Sequence, residues 1–367
     1  MFTVIVFVLL LGILVLAHEL GHFVSAIRLG VEVEEFGIGF PPKAFSFKHK
    51  GIVYSINWIP IGGFVKIKGE SGDDLDNPKS FANQKTWKKS VILSAGVLMN
   101  FLVAFILLTL GFMIGMPQAI DPNTDTSLIK NQGVVIIEVL ENSAADKAGL
   151  QIGDRLVQVD GLEINNSEFV YSFIKENNQE ELNFVVTRGG EEKKIDAKPE
   201  IVEENQEPIL GVGMLDVGVV SYGFFGSFWQ GAKATGLMTW QILAAFGNLL
   251  KDLFTTGHLS QGLSGPVGVA IMTGQVARLG FVYIMNFAAI LSINLGVLNI
   301  LPFPALDGGR LLFVLIEKIR GKKINEKVEA IFHNTGFSLL MLLIIFITWR
   351  DVLKYSDQIW QGVKNIF

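Results

Sequence analysis

Two histidines and a glutamate near the start of the chain have the spacing of a metal-binding motif. Residues 18–22 read His-Glu-Leu-Gly-His. Residues four apart on a helix share one face, so the imidazoles of His18 and His22 can hold one zinc ion together. Glu19, between them, can then reach a water at the metal and act as a general base. In a soluble helix this motif would be only moderately specific, because a surface cluster of satisfied polar groups has the same pattern.

The segment that must carry this motif is strongly apolar. Residues 2–24 form one hydrophobic run without the basic start or the small-residue cleavage site of a signal peptide, so they predict a retained transmembrane helix over 1–24. Ionisable side chains inside such a helix are costly, and a functional role is their default explanation. The membrane context therefore favours a zinc site over a chance match.

The composition supports a membrane protein and restricts the metal ligands. Of 367 residues, 18% are charged and 50% are hydrophobic, whereas a soluble domain has about 25% charged residues. The chain has no cysteine, which excludes disulfides and thiolate ligands and leaves His, Asp and Glu to hold a metal. A net charge of −5 gives no reason to expect nucleic-acid binding.

A third ligand is expected, since catalytic zinc usually has three protein ligands and one open position. Asp307 fits best, because it lies between apolar stretches and follows Pro302 and Pro304, which break a helix. Irregular backbone at membrane depth is tolerated where it lines a cavity. Asp307 alone would suit a helix cap equally well, but beside an intramembrane zinc motif the ligand interpretation is favoured.

Other side chains compete for the third position. Glu317 is close to Lys318 and Arg320 and is expected at the membrane edge, while His258 falls in a polar loop and His333 at the start of the last span. His49 lies among lysines and is expected to be solvated.

The remaining pattern predicts a polytopic α-helical membrane protein with about four spans, membrane-associated β-hairpins and an inserted α/β domain. The expected segments are a first span at 1–24, a β-hairpin region at 31–69, a second span at 90–115, the α/β domain at 128–200, an amphipathic interfacial helix at 223–256, a third span at 281–316 and a fourth at 335–355.

Loop charges predict the orientation of these spans. Segments 25–89 and 317–334 are rich in Lys and Arg, and the long segment between the second and third spans is acid-rich. By the positive-inside rule the two basic segments face the cytoplasm, and both termini and the α/β domain lie outside. The zinc motif then falls nearer the cytoplasmic face.

Taken together, these motifs resemble the site-2 protease family of intramembrane metalloproteases, in its bacterial branch with one inserted PDZ domain. The resemblance rests on HExxH at 18–22 and on NxxPxPxLDGG at 299–309. It implies that His18, His22 and Asp307 bind one zinc ion, that Glu19 is the catalytic base, and that Asn299 helps to hold the substrate or the oxyanion. One departure is Val97, where the family commonly has Pro; we interpret it as a local difference at a helix start.

Residues 128–200 resemble a PDZ domain of the bacterial protease type, on the segments 133–136, 142–150, 153–156 and 160–161. The resemblance implies peptide binding by strand addition, and simple steric shielding of the membrane site is an equal alternative.

The predicted function is that of a zinc endopeptidase which cuts transmembrane segments of single-span proteins, of the anti-sigma factor or remnant signal peptide type, in a bacterial cytoplasmic membrane. Strands in 31–69 are expected to pair with the unwound substrate. The alternatives are a non-proteolytic zinc carrier and a PDZ membrane scaffold. A carrier would be expected to show inverted repeats, and the sequence shows none.

Overall fold

A computed structural model describes residues 2–70, 76–120, 129–140, 142–177, 180–201, 208–256, 264–322 and 324–356. The chain forms two compact units. The first contains the described residues of 1–108, 231–274 and 287–367, and the second those of 109–230 and 275–286. The zinc motif and Asp307 both belong to the first unit.

The helices are distributed along the whole chain. They are α1 (Phe2–Arg28), α2 (Thr86–Ile114), α3 (Ala144–Ala148), α4 (Ser167–Glu176), α5 (Phe224–Thr256), α6 (Pro266–Leu279), α7 (Phe281–Ile300), α8 (Asp307–Arg320) and α9 (Glu326–Lys354). Four helices in the described residues are long and apolar enough to cross a membrane, namely α1, α2, α7 and residues Lys327–Lys354 of α9. A helix suits this role because it satisfies its backbone hydrogen bonds internally.

The hairpin region consists of two long strands, β1 (Val33–His49) and β2 (Ile52–Ile67). Both strands bend, so that residues 35–38 of β1 pair with 53–56 of β2 on one side and with 63–66 on the other. Residues 43–49 pair with 52–57. The final stretch of β2 lies along α1, and this contact brings the hairpin to the zinc motif.

A buried apolar cluster fixes the end of α1 against its neighbours. Its members come from α1, α2, α8 and the hairpin, and include Ala26, Val33, Ile67, Ile92 and Val314. Burial of such side chains contributes roughly 1.5–3 kcal/mol each. The cluster therefore holds together the elements that supply the metal site.

The second unit is built on one seven-stranded sheet. Its strands are β3 (Met116–Ala119), β4 (Ile129–Val139), β5 (Arg155–Val159), β6 (Leu162–Glu163), β7 (Leu182–Arg188), β8 (Glu191–Ala197) and β11 (Val212–Val220). The order is β3-β11-β4-β5-β7-β8, with β6 beside β5, and a separate two-stranded pair joins β9 (Glu200–Ile201) and β10 (Pro208–Ile209). The apolar side chains of this sheet pack with those of α3 and α4 in one core.

Several boundaries differ from the sequence prediction. The predicted third segment, 281–316, breaks at its prolines as expected, into α7 and α8 separated by residues 301–306, and α8 extends four residues beyond the predicted 316. Helix α9 begins nine residues before the predicted 335. The sheet of the second unit draws strands from 116–119 and 212–220, outside the predicted 128–200, and α6 was not predicted. Charged residues near Glu326 concealed the start of α9, because hydropathy alone does not detect a polar helical extension.

Candidate metal centre

The two histidines of the motif lie side by side on α1 and are almost fully buried. His18 and His22 are each 6% exposed, and their Nε2 atoms are 3.1 Å apart. Their spacing of four residues places both imidazoles on one face of the helix. The face they occupy is turned towards α2 and α8, so the pair is available to a ligand supplied by either helix.

Asp307 completes the cluster from α8. Its Oδ2 lies 2.9 Å from His18 Nε2 and 3.2 Å from His22 Nε2. Asp307 is the first residue of α8, whose N-cap is Leu306 without a side-chain cap. The alternative in which Asp307 caps this helix is therefore wrong: its carboxylate is directed at the histidines.

The three converging atoms fit a zinc ion. Tetrahedral zinc with bonds of about 2.0–2.1 Å to N and O separates its ligand atoms by about 3.3 Å, close to the three observed distances of 2.9, 3.1 and 3.2 Å. Two imidazole lone pairs and a carboxylate so close together repel one another unless a proton or a metal ion lies among them. Among the described residues, His18, His22 and Asp307 form the one such group of His, Asp and Glu.

Each histidine is oriented by its second ring nitrogen. His22 Nδ1 donates to the Ile92 carbonyl oxygen at 2.8 Å, and His18 Nδ1 lies 3.1 Å from Nδ2 of Asn100. The Asn100 side chain is fully buried and its Oδ1 has no hydrogen-bond partner among the described atoms. Rotation of this amide by a half-turn about its Cβ–Cγ bond exchanges Nδ2 and Oδ1, so that Oδ1 accepts from His18 Nδ1–H. The oxygen is then satisfied, and with the proton on Nδ1 the lone pair of Nε2 is available to the metal.

Glu19 is not among the converging ligand atoms, although it lies beside them. Its Oε2 accepts the backbone N–H of Val65, on β2, at 3.0 Å. The side chain lines a cavity of about 230 Å³. The other lining residues are Val15, His18, Asn100, Leu295, Asn299, Ala305, Leu306 and Asp307. Glu19 thus faces the same space as the metal ligands, in a position suited to move a proton.

Asn299 reaches this cavity from the last turn of α7, with its Nδ2 3.5 Å from His18 Nε2. The rivals for the third ligand lie elsewhere. Glu317 Oε1 accepts from the Ile324 N–H, and His333 Nδ1 accepts from the Ala305 N–H. His49 is exposed at the end of β1, and His258 lies outside the described residues.

Three residues of the site were missed by sequence reasoning. Asn100 gave no signal, since one amide in an apolar helix has no characteristic spacing, and Val65 acts through its backbone. Gly96, on α2, permits the close approach of the helices, because a Cβ there would overlap His22 Nε2. Its neighbour Val97 is buried inside α2, eleven residues after the helix begins, so its interpretation as a helix-start difference is wrong.

Comparison with known proteins gives consistent matches over nearly the whole chain. The sequence model described as peptidase family M50 matches residues 6–343. The zinc metalloprotease RasP of Bacillus licheniformis is 31% identical, covering 96% of this chain and 99% of the relative. The regulator of sigma-W protease RasP of Bacillus subtilis is 32% identical, with 96% and 98% covered. The zinc metalloprotease RasP of Oceanobacillus iheyensis is 33% identical, with 96% and 99% covered.

Part of the chain is similar to solved structures. One example is the PDZ domain of the SdrC-like protein from Listeria monocytogenes, which is 18% identical with a TM-score of 0.22, covering 23% of this chain and 90% of that one.

Replacement of Asn100 by Leu should weaken zinc binding about 10- to 100-fold, because His18 loses the partner that fixes its tautomer. Asn100→Asp, which keeps an acceptor oxygen for Nδ1–H, should bind zinc more tightly than the Leu variant. Zinc affinity is measured by chelator competition on the purified chain. Equal affinities for the Leu variant and the unchanged protein would contradict this role.

Proposed function

This chain belongs to peptidase family M50 and is a zinc metalloprotease, and on that premise we propose that it cuts peptide bonds inside the membrane, in the transmembrane segments of single-span proteins. The observation that carries the proposal is the position of the metal cluster. His18 and His22 lie within an apolar helix long enough to cross a bilayer, and Asn100 and Asn299 reach the same cavity from two other such helices.

The residues take distinct roles in this proposal. His18, His22 and Asp307 hold one zinc ion, and Glu19 is the proton-transfer group. Zinc, when bound, supplies Lewis-acid chemistry that brings the pKa of water to about 7 and polarises a carbonyl. Glu19 removes a proton from water and passes it to the leaving amine, as base and then acid. Asn299, whose amide lies at the cavity wall, donates to the developing oxyanion.

The hairpin solves a problem that a helical substrate creates. A substrate helix must unwind before its carbonyl can be attacked, and in lipid each unpaired backbone group costs several kcal/mol. In the register of the hairpin, Ile38 pairs with Gly63 and Phe40 with Ile59, which leaves Ile61 between them without a partner in β1. Ile61 precedes Val65 along β2, and the Val65 N–H donates to Glu19. This edge of β2 is therefore well placed to pair with an unwound substrate near Glu19.

The second unit is proposed to be a PDZ domain outside the cytoplasm. Strand β3 pairs only with the second half of β11, at Val217–Val220. On that same edge, the first half of β11, Val212–Leu215, pairs with none of the described strands. Helix α4 packs near this open part of β11. An open edge beside a helix suits peptide binding by strand addition. Steric shielding of the membrane site is the competing role for this unit.

The name of one relative supports a proposal for the substrate class. Because one of them is named a regulator of sigma-W protease, we propose that this chain acts on anti-sigma factors or remnant signal peptides in a bacterial cytoplasmic membrane. His18 and His22 lie in the second half of α1, towards the basic segment that follows, which supports the proposal that the site is near the cytoplasmic face.

Glu19→Gln should keep zinc and lower the cleavage rate at least about 100-fold, since Gln Oε1 can still accept from Val65 but cannot take up a proton. Cleavage of a single-span reporter is followed in proteoliposomes, and zinc is quantified by elemental analysis. Glu163→Gln, on exposed β6, is the matched control and should cleave normally. Substantial cleavage by the Glu19 variant would refute its role as base.

Ile61→Pro should reduce cleavage while zinc content stays normal, because proline removes an N–H from the proposed pairing edge. Ile61→Ala is the control, as it removes the side chain and keeps the N–H. The two are compared in the same reporter assay, with zinc measured in parallel. Normal cleavage by the Pro variant, or equal loss in both, would rule out pairing at this position.

Single cysteines test the orientation without background, because the chain has none. Lys193→Cys, on exposed β8, should react with an impermeant maleimide in intact cells. Lys50→Cys, at the hairpin turn, should react only after permeabilisation. The reverse labelling pattern would invert the proposed orientation.

A further inference from the structure

We propose that His333, on α9, is a positioning residue for the metal centre. Its ring holds the loop that ends at Asp307, and through that loop it sets where the ligand carboxylate lies. The inference rests on the assignment of Asp307 as a zinc ligand in the proposed function. His333 itself is not a ligand, because its ring is not among the ligand atoms that converge at His18, His22 and Asp307.

The contact is a single hydrogen bond to a strained residue. The Ala305 N–H donates to His333 Nδ1 at 3.0 Å. Ala305 has a φ of 75°, in the left-handed region, which is unfavourable for a residue that carries a Cβ. Such a conformation persists only where surrounding contacts fix it. Ala305 precedes Asp307 by two residues and lines the same cavity, so relaxation at Ala305 would redirect the carboxylate.

A second contact on the same face of α9 supports the loop. Gly336 lies three residues after His333, which places both on one side of the helix. A Cβ at Gly336 would overlap the Pro304 ring. The helix therefore packs directly on Pro304 through its glycine while the histidine binds Ala305, and these two contacts seat the loop on α9.

The chemistry of the ring argues for a specific role as acceptor. Because Nδ1 accepts, the proton of the neutral imidazole is on Nε2. That atom is buried and has no hydrogen-bond partner among the described atoms, and the nearest carboxylate, on Glu329, is 4.0 Å away. An unsatisfied buried donor is destabilising. A leucine would fill the space beside Phe313 and Phe332 without that cost, so packing alone does not explain a histidine.

Two substitutions separate the acceptor from the packing. His333→Leu keeps most of the volume and removes the acceptor, whereas His333→Asn loses volume and places Oδ1 near the position of Nδ1. We expect zinc affinity, measured on the full chain in detergent by chelator competition, to fall about tenfold or more in the Leu variant. The Asn variant should recover most of it. Gly336→Ala should resemble the Leu variant, and exposed His49→Leu should match the unchanged protein.

The outcomes distinguish this inference from the proposed function. Asp307→Ala should lose zinc most severely; if it does not, the ligand assignment itself fails. If Asp307→Ala loses zinc while His333→Leu binds normally, the positioning role is overturned. Equal losses in the Leu and Asn variants, tracking their thermal unfolding temperatures, would show a packing role instead. In the reporter assay a positioning role should lower kcat more than it raises KM.

Discussion

A polar side chain inside an apolar helix needs a partner, and this constraint determines how the elements around His18 and His22 are arranged. Water is scarce around such a helix in a membrane, so unpaired imidazoles and carboxylates would each be strongly destabilising. His18, His22 and Glu19 stand within one apolar helix, and their partners come from three other elements: Asp307 from α8, Ile92 and Asn100 from α2, and Val65 from β2. Satisfying one short motif therefore fixes the relative positions of segments nearly 300 residues apart.

The same constraint explains why the proposed metal ligands could be predicted from the sequence. Histidines four apart in a hydrophobic run, and an aspartate after two prolines at membrane depth, are unusual enough in type and place to indicate a site. The structure brings His18, His22 and Asp307 together as the sequence predicts. Their partners were not predictable, because a backbone carbonyl at Ile92 or a backbone N–H at Val65 leaves no trace in residue type. Such contacts depend on tertiary packing alone.

The helix ends were predicted less well than the helices themselves. Apolar runs reveal the part of a helix that suits lipid, but α9 continues into a charged segment from Glu326, where residues at the membrane edge can reach water. That polar extension has a structural role, since it places His333 in contact with the loop before Asp307. The prolines at 302 and 304 did predict the interruption between α7 and α8, because they lack the N–H that a continuing helix requires.

The hydrogen bond from Val65 to Glu19 has a stereochemical consequence. It engages Oε2 and so fixes the orientation of the carboxylate relative to the hairpin, which would set the side on which the proposed transfer of a proton from water takes place. An attack confined to one side selects one face of the peptide carbonyl. Which face a strand presents depends on its chain direction along the hairpin, so discrimination would follow backbone polarity more than side-chain identity. A substrate threaded with its amino and carboxyl ends exchanged would then bind and still resist hydrolysis.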